Sequence, residues 1–401
     1  MTDTLKETHP QKYYLRLISR LMYYFGLGNY WYEGSSTRHP RLYIAWCIFI
    51  QTYMLIVVLD IFLAILRPDL HDEEKSEAIQ IGFCQLLVLL KFIIVILQRN
   101  RIRKGFKKLL EEDRDIFSSL EVEKRSVKTA KIFFLPFLFV IYSYLGTTVV
   151  SWTFASILNG TPIQTQVIYF PTPAHTGFPY NLLRLFIIGH WWLHATMMTT
   201  SDCLCSLPIF FVAAKFKQVQ MYFENLGVMD LEHWSGEDFK KAVIDGIKLH
   251  RNALWCASNI QSAMGTLYGI QILQTVILGG ISLCQLAIQC ISLCFFQSQE
   301  RTMMILLSEA VFIVCVSVLT AAYMINSGVI SHEAATVATS IFHCGWQRVP
   351  MDNNLRTLLV VAIYQAQLPV YMTAFGMLTL SHESFVRDST YESLATLRIL
   401  L

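Results

Sequence analysis

The sequence predicts an all-α membrane protein with seven transmembrane helices, its N-terminus cytoplasmic and its C-terminus extracellular. Three observations carry this prediction. Mean hydropathy is +0.44, with 54% hydrophobic and 15% charged residues, and the apolar residues come in blocks long enough to cross a bilayer. Lys and Arg are unevenly distributed: 25 of the 32 fall in residues 1–41, 99–131, 215–262 and 327–369. Only Arg67, Lys75, Arg184 and Arg301 fall in the alternate links, so the first set is cytoplasmic by the positive-inside rule. Finally, the chain ends in a polar-flecked segment with helical spacing, unlike the apolar spans before it.

The remaining bulk properties narrow the class. A net charge of +3 gives no reason to expect nucleic acid. The opening MTDTLKETHPQK is polar and has no apolar core or cleavage site behind it, so the first membrane helix is expected to direct insertion. Most of the ten cysteines lie inside apolar segments, which favours packing over a disulfide framework.

Along the chain, residues 11–32 alternate aromatics and aliphatics with Arg16 and Arg20. This predicts an amphipathic helix on the membrane surface, with buried packing as the alternative. Spans follow at about 42–66, 76–98, 132–157, 185–214, 264–296 and 302–325. Residues 99–131 have helical spacing and extend their neighbours beyond the bilayer, and 215–262 is a polar helical segment with a break near Ser235-Gly236. The link 158–183 holds the glycosylation sequon at Asn159 and the turn-forming PTPAHTGFP. Residues 327–356 are mixed and polar, and 357–380 is apolar.

Charges inside spans are the first candidates for function. Asp60, near a span end, is expected to be held by local hydrogen bonds. Lys91 is placed to snorkel toward the cytoplasm. Asp202 and Glu309 are expected to face other helices, with no partner legible. His190 and His194 stand one helical turn apart, a zinc-compatible spacing, but neither a general-base Glu nor a third ligand accompanies them. The one-residue gap of Cys203 and Cys205 suits packing better than redox or zinc chemistry. No nucleophile elbow, phosphate-cradling loop or paired-carboxylate pattern appears, so an enzyme is not expected, and no cofactor is implied. Phe83, Leu87, Thr148, Ser151, Trp152, Phe186, His190, Met197, Leu306 and Phe312, in the outer halves of their spans, are residues of the kind that line an apolar ligand cavity. Helix packing is the alternative for each of them.

The 21 residues Ser381–Leu401 would make a helix of roughly 30 Å, about one hydrocarbon thickness. Val386, Thr390, Leu394, Leu397 and Leu401 form one stripe; Ser389, Glu392, Thr396, Ile399 and Leu400 form another, polar and then apolar. Asp388, Glu392 and Arg398 disfavour a lipid-facing helix. Copies from several subunits would be needed to enclose a pore; an amphipathic tail on the membrane surface is the alternative.

The run QLPVYMTAFGMLTLSHESFVRDSTYESLATLR resembles the C-terminal pattern of the insect odorant receptor family. Gln367, Pro369, Thr373, Ala374, Leu380, Ser381, Glu383, Phe385, Tyr391, Leu397 and Arg398 carry the resemblance, and the inverted topology, chain length and Lys91 agree with it. The resemblance implies a tuning subunit of an odorant-gated, non-selective cation channel. This subunit would work with the insect olfactory co-receptor in a heterotetramer at the plasma membrane of olfactory sensory neurons. It divides the chain into a cytoplasmic N-terminus (1–41), six ligand-binding helices (42–325), a cytoplasmic anchor (326–369) and a pore helix (370–401), so that the last helix is split. The constriction falls near Thr396, Ile399 and Leu400, and the ligand is a small volatile, odorant or pheromone. A gustatory-type channel is the alternative, and a transporter is disfavoured by the missing internal repeat.

Overall fold

The computed structural model describes residues 7–27, 40–111, 115–229, 235–295, 299–349 and 353–384. Within them the chain forms α1 (Pro10–Tyr24), α2 (Pro40–Ala64), α3 (Asp72–Glu111), α4 (Leu120–Asn159), α5 (Phe178–Val228), α6 (Gly236–Phe295), α7 (Gln299–Phe342) and α8 (Asn353–Gln367). A 3-10 turn (Trp346–Arg348) joins the last two helices, and a short hairpin of β1 (Thr373–Ala374) and β2 (Leu378–Thr379) follows. Among the described residues, five helices, α2 to α6, are long and apolar enough to cross a membrane.

Several of these helices outrun the bilayer. The 40 residues of α3 and of α4 extend about 60 Å each, twice a hydrocarbon core of about 30 Å. The surplus is the charged stretch seen in sequence. The polar segment after the fourth expected span is helical too: α5 runs 51 residues and α6 runs 60, so apolar and polar portions share single helices. At this charged end the extensions brace one another. Lys104 and Lys108 of α3 sit over the Trp255 ring of α6 at 5.6 and 4.6 Å, and the Gln220 amide of α5 donates to Glu333 Oε2 of α7 at 2.8 Å.

α5 is the central element. Of its most apolar window 89% is buried, against 17% for α4, and α5 packs on α1, α3, α4, α6 and α7. α4 begins with Ser119, whose side chain accepts from the Val122 N–H, and Glu121 and Glu123 complement the dipole of its first turn. It ends at Asn159, where Gly160 takes a left-handed conformation. The N-terminal helix α1 buries Leu15, Ile18 and Met22 against the bundle, so its apolar face is occupied by protein, the alternative weighed for residues 11–32.

Two sequence expectations change here. Residues 327–342, read as mixed and polar, continue α7 without a break. The segment 370–380, expected as the start of the pore helix, holds the hairpin instead. Its turn is made by Phe375 (φ 53°) and Gly376 (φ 74°), and β1 pairs with β2 through Thr373–Thr379 and Ala374–Leu378. The hairpin docks on α6. Gln261 Nε2 donates to the Thr373 carbonyl at 2.8 Å and hydroxyl at 2.7 Å, its Oε1 accepts from the Thr373 N–H at 2.8 Å, and the Phe375 N–H donates to the Gly265 carbonyl at 3.2 Å. With its polar groups satisfied this way, a chain that hydropathy alone would make helix leaves the helix.

Candidate functional site: a loop-capped imidazole pair and a buried ion pair

At the end of the bundle opposite the charged extensions, the loop 160–177 folds over the helices as a lid. Two arginines, both nearly buried, hold it there. Arg184 donates to the Thr172 carbonyl at 2.8 Å, the His175 carbonyl at 2.7 Å and Asn181 Oδ1 at 2.9 Å. Arg67 donates to the Ile168 carbonyl at 2.7 Å and pairs with Asp69 at 2.5 Å; this hydrogen bond holds the Asp69 carboxyl below its ordinary range. Asp60 accepts from the Phe170 N–H on Oδ1 at 3.1 Å and from the Tyr169 N–H on its carbonyl at 3.2 Å. The expected hydrogen bonding of Asp60 is thus present, but it crosses to a distant loop. Ile168 is pressed into a cluster with Val57, Ile61 and Ile187, with Tyr53 and Leu183 at its edge.

Beneath this lid, α5 presents His190 and His194. They are 0% and 5% exposed, with ring centroids 5.5 Å apart. No nitrogen of either ring has a hydrogen-bond partner among the described residues. The Tyr53 ring meets His190 edge-on at 5.6 Å, but its hydroxyl is used on the Phe186 carbonyl at 2.7 Å. Leaving buried polar groups unmatched costs on the order of 1–3 kcal/mol each, so the pair is an expensive feature of an otherwise apolar region. No group of three or more metal-type ligands occurs among the described residues.

The other expected ligand-cavity residues disperse around this point. Met197, two turns below His190, is fully buried, and Leu87 is nearly so. Phe186 packs against Tyr53 at 4.3 Å while remaining 47% exposed. Phe83 turns outward onto Phe62 at 6.4 Å. The Thr148 hydroxyl donates to the Tyr144 carbonyl of its own helix at 2.8 Å. The side chains of Ser151, Trp152, Leu306 and Phe312 lie outside the described residues, as do that of Glu309 and the set expected to line a pore, Ser389, Glu392, Thr396, Ile399 and Leu400. Asn159 is exposed at the end of α4.

About 12 Å deeper along α5 than His194, at 1.5 Å per residue, sits Asp202, and here the sequence reading of Lys91 is corrected. Lys91 does not snorkel: it is 2% exposed and donates to Asp202 Oδ1 at 3.0 Å and to Gln271 Oε1. The physical reason is that a partner of opposite charge lies closer than the membrane interface. The Asp202 carbonyl accepts from the Tyr323 hydroxyl at 3.0 Å and from Ser206, and the Cys205 carbonyl accepts from Tyr268 at 3.3 Å. Pro208, inside the same helix, cannot donate to the carbonyl one turn back, and this stretch of α5 is supported from α6 and α7. One buried cluster therefore ties α3, α5, α6 and α7 together.

The sequence profile of the family described as 7tm odorant receptor matches residues 72–388. The chain belongs to the odorant receptor family. The structure is also similar to the insect olfactory receptor OR5 from Machilis hrabei, with a TM-score of 0.70 and 11% identity, covering 96% of this chain and 97% of that one. It is similar to the same receptor in complex with eugenol, with a TM-score of 0.69, 11% identity and coverage of 96% and 98%. No curated protein matches the chain.

In this odorant receptor, a multi-pass membrane protein, three of the residues that carried the resemblance have visible tasks, while Phe385, Tyr391, Leu397 and Arg398 lie outside the described residues. Thr373 and Ala374 are strand β1, and Thr373 is the group Gln261 holds. Ser381 accepts from the Ser384 N–H at 3.1 Å, opening a helical turn at 382–384. Sequence reasoning missed Tyr53, Gln261, Gln271, Tyr323 and the lid residue Ile168. Gln261 and Gln271 carried a signal, amides within or beside an apolar stretch, where a buried polar group needs a partner.

Proposed function

We propose that this odorant receptor is the tuning subunit of a ligand-gated, non-selective cation channel in the plasma membrane, assembled with the olfactory co-receptor as a heterotetramer. The N-terminus and the charged helical extensions are cytoplasmic, and the lid and the chain's C-terminus are extracellular. A small, mostly apolar volatile binds beneath the lid, between α2, α3, α4, α5 and α7. Seven spans result when α7 and a last helix from about 379 onward join the five apolar helices, and Ser389, Glu392, Thr396, Ile399 and Leu400 line the pore. A hydrophobic constriction at Ile399 and Leu400 would close by dewetting.

The observation that carries this reading is the family match over residues 72–388. The buried, unpartnered imidazoles of His190 and His194 under a tethered loop support a ligand site, because ligand sites combine apolar walls with a few polar groups. The face of α8 opposite its buried Leu355, Leu359, Ala362 and Ala366 leaves Val360, Val361, Tyr364 and Leu368 exposed, which supports an anchor that meets other subunits. A ligand opens the pore by binding the open state more tightly than the closed one.

The test is whole-cell recording of the chain expressed with and without the co-receptor, against a broad panel of volatiles. Inward cation current is expected only with the co-receptor. Surface expression with no volatile-evoked current overturns the reading, and current evoked by sugars or bitter compounds without the co-receptor would point to a gustatory-type channel.

A further inference from the structure

The two imidazoles under the lid set a chemical requirement on whatever binds there. A neutral imidazole carries one N–H donor and one bare acceptor nitrogen, so His190 and His194 together offer two donors and two acceptors. None is matched among the described residues. Five hydroxyls of α2, α4 and α5 are already engaged. The Tyr53 hydroxyl donates to the Phe186 carbonyl, the Tyr142 hydroxyl to Thr196 Oγ1 at 3.0 Å, and the hydroxyls of Thr196, Thr199 and Thr200 to carbonyls of α5. Packing alone does not call for this arrangement, since Phe or Leu would fill the same space without orphaned nitrogens.

We propose that the ligand of this receptor is an alcohol, whose hydroxyl group is read by His190 and His194 together. This rests on the ligand-gated reading above and adds the functional group that the ligand carries. A hydroxyl accepts from the N–H of one ring and donates to the bare nitrogen of the other, bridging rings whose centroids stand 5.5 Å apart. A ketone, ester or ether accepts only, leaving both bare nitrogens unserved. An ammonium would bring an uncompensated charge into an apolar, membrane-embedded region, and so would a carboxylate beside two neutral imidazoles. Ile187, one turn nearer the lid than His190, belongs to the apolar cluster closed by Ile168, and Met197 is buried deeper along α5. Apolar side chains therefore flank the imidazole pair on both sides along α5, the environment a hydrocarbon body requires.

The test uses the chain with its co-receptor and matched sets of straight-chain, cyclic and aromatic alcohols, each with its methyl ether, its ketone or aldehyde, and its parent hydrocarbon. Activation is expected from alcohols, with at least about tenfold weaker potency for the ether and hydrocarbon of the same skeleton, the ratio that one lost hydrogen bond of ordinary strength produces. His190→Phe and His194→Leu are expected to lower alcohol potency by about tenfold and to erase the difference between alcohol and ether. His190→Gln, which retains a donor and an acceptor, is expected to keep part of it. Surface labelling of each variant controls for folding, and His190→Gln also serves if the apolar variants do not reach the surface. Equal potency of alcohols and their ethers, or an alcohol preference that survives these substitutions, overturns the inference and assigns the pair to water. Those outcomes leave the channel reading standing, because current was evoked. A surface-expressed chain that answers no member of the panel overturns the channel reading, and this inference with it.

Discussion

At the scale of single residues, the decisive contact is the pair formed by Lys91 and Asp202. Both side chains are nearly fully buried, and water is too distant to solvate either one if its partner is removed. Removing one member of such a pair costs about 3–5 kcal/mol, whereas replacing both with apolar groups is often neutral. Lys91→Met is therefore expected to destabilise the receptor by an amount in that range and to lower its surface level. Lys91→Met with Asp202→Leu is expected to recover most of the loss. Thermal unfolding in detergent and surface labelling measure both; a double variant as damaged as the single ones would show that the pair has a role beyond charge compensation. The two charges were each visible in the sequence as costly residues in apolar runs, but their pairing was not. They lie 111 positions apart, and helical periodicity gives the face of each helix without saying which faces meet.

At the scale of elements, the hairpin and α6 show a fit that depends on absent side chains. A Cβ on Gly269 would come within 2.4 Å of the Phe375 ring, and one on Gly265 would meet the Thr373 carbonyl at 3.2 Å. These two glycines, one turn apart, form the flat surface on which the hairpin lies. Gly269→Ala is expected to cost about 1–3 kcal/mol through overpacking and to lower the maximal odorant-evoked current, since the hairpin joins α8 to the segment proposed to line the pore. Gly269→Ala combined with Phe375→Ala removes the clash and is expected to regain stability over the single variant, measured by thermal unfolding; no regain would place the strain elsewhere. The long helices and the lid's turn composition were legible from hydropathy and from PTPAHTGFP. The hairpin was not, because TAFGMLT is apolar, and its turn is marked by one glycine, a weak signal unless the tertiary acceptor at Gly265 is known. The same limit applies to the region under the lid: His190 and Met197 could be picked from the sequence, whereas Tyr53 and Ile168 reach it from distant segments.

At the scale of the whole molecule, α8 sits in the chain between the long helices α2 to α7 and the hairpin. Its buried face is satisfied within the chain by α7 and α6. Its other face leaves Val360, Val361 and Tyr364 between 51% and 66% exposed, with Leu368 continuing the stripe. An apolar stripe on an amphipathic helix whose own core contacts are complete is a surface for another chain. If it joins subunits, a charge placed there acts on assembly before it acts on the fold of one subunit. Tyr364→Asp and Val361→Asp are each expected to leave the detergent-solubilised single chain folded, with thermal stability within about 0.5 kcal/mol of the parent, as for other surface substitutions. The same changes are expected to reduce the tetramer recovered by native gel or size exclusion with the co-receptor, and to reduce odorant-evoked current in proportion. The matched change Asn353→Asp, on an exposed residue at the start of α8, is expected to leave assembly intact. Full assembly with Tyr364→Asp and Val361→Asp combined would remove this face from the subunit interface and shift the contact to segments beyond residue 384.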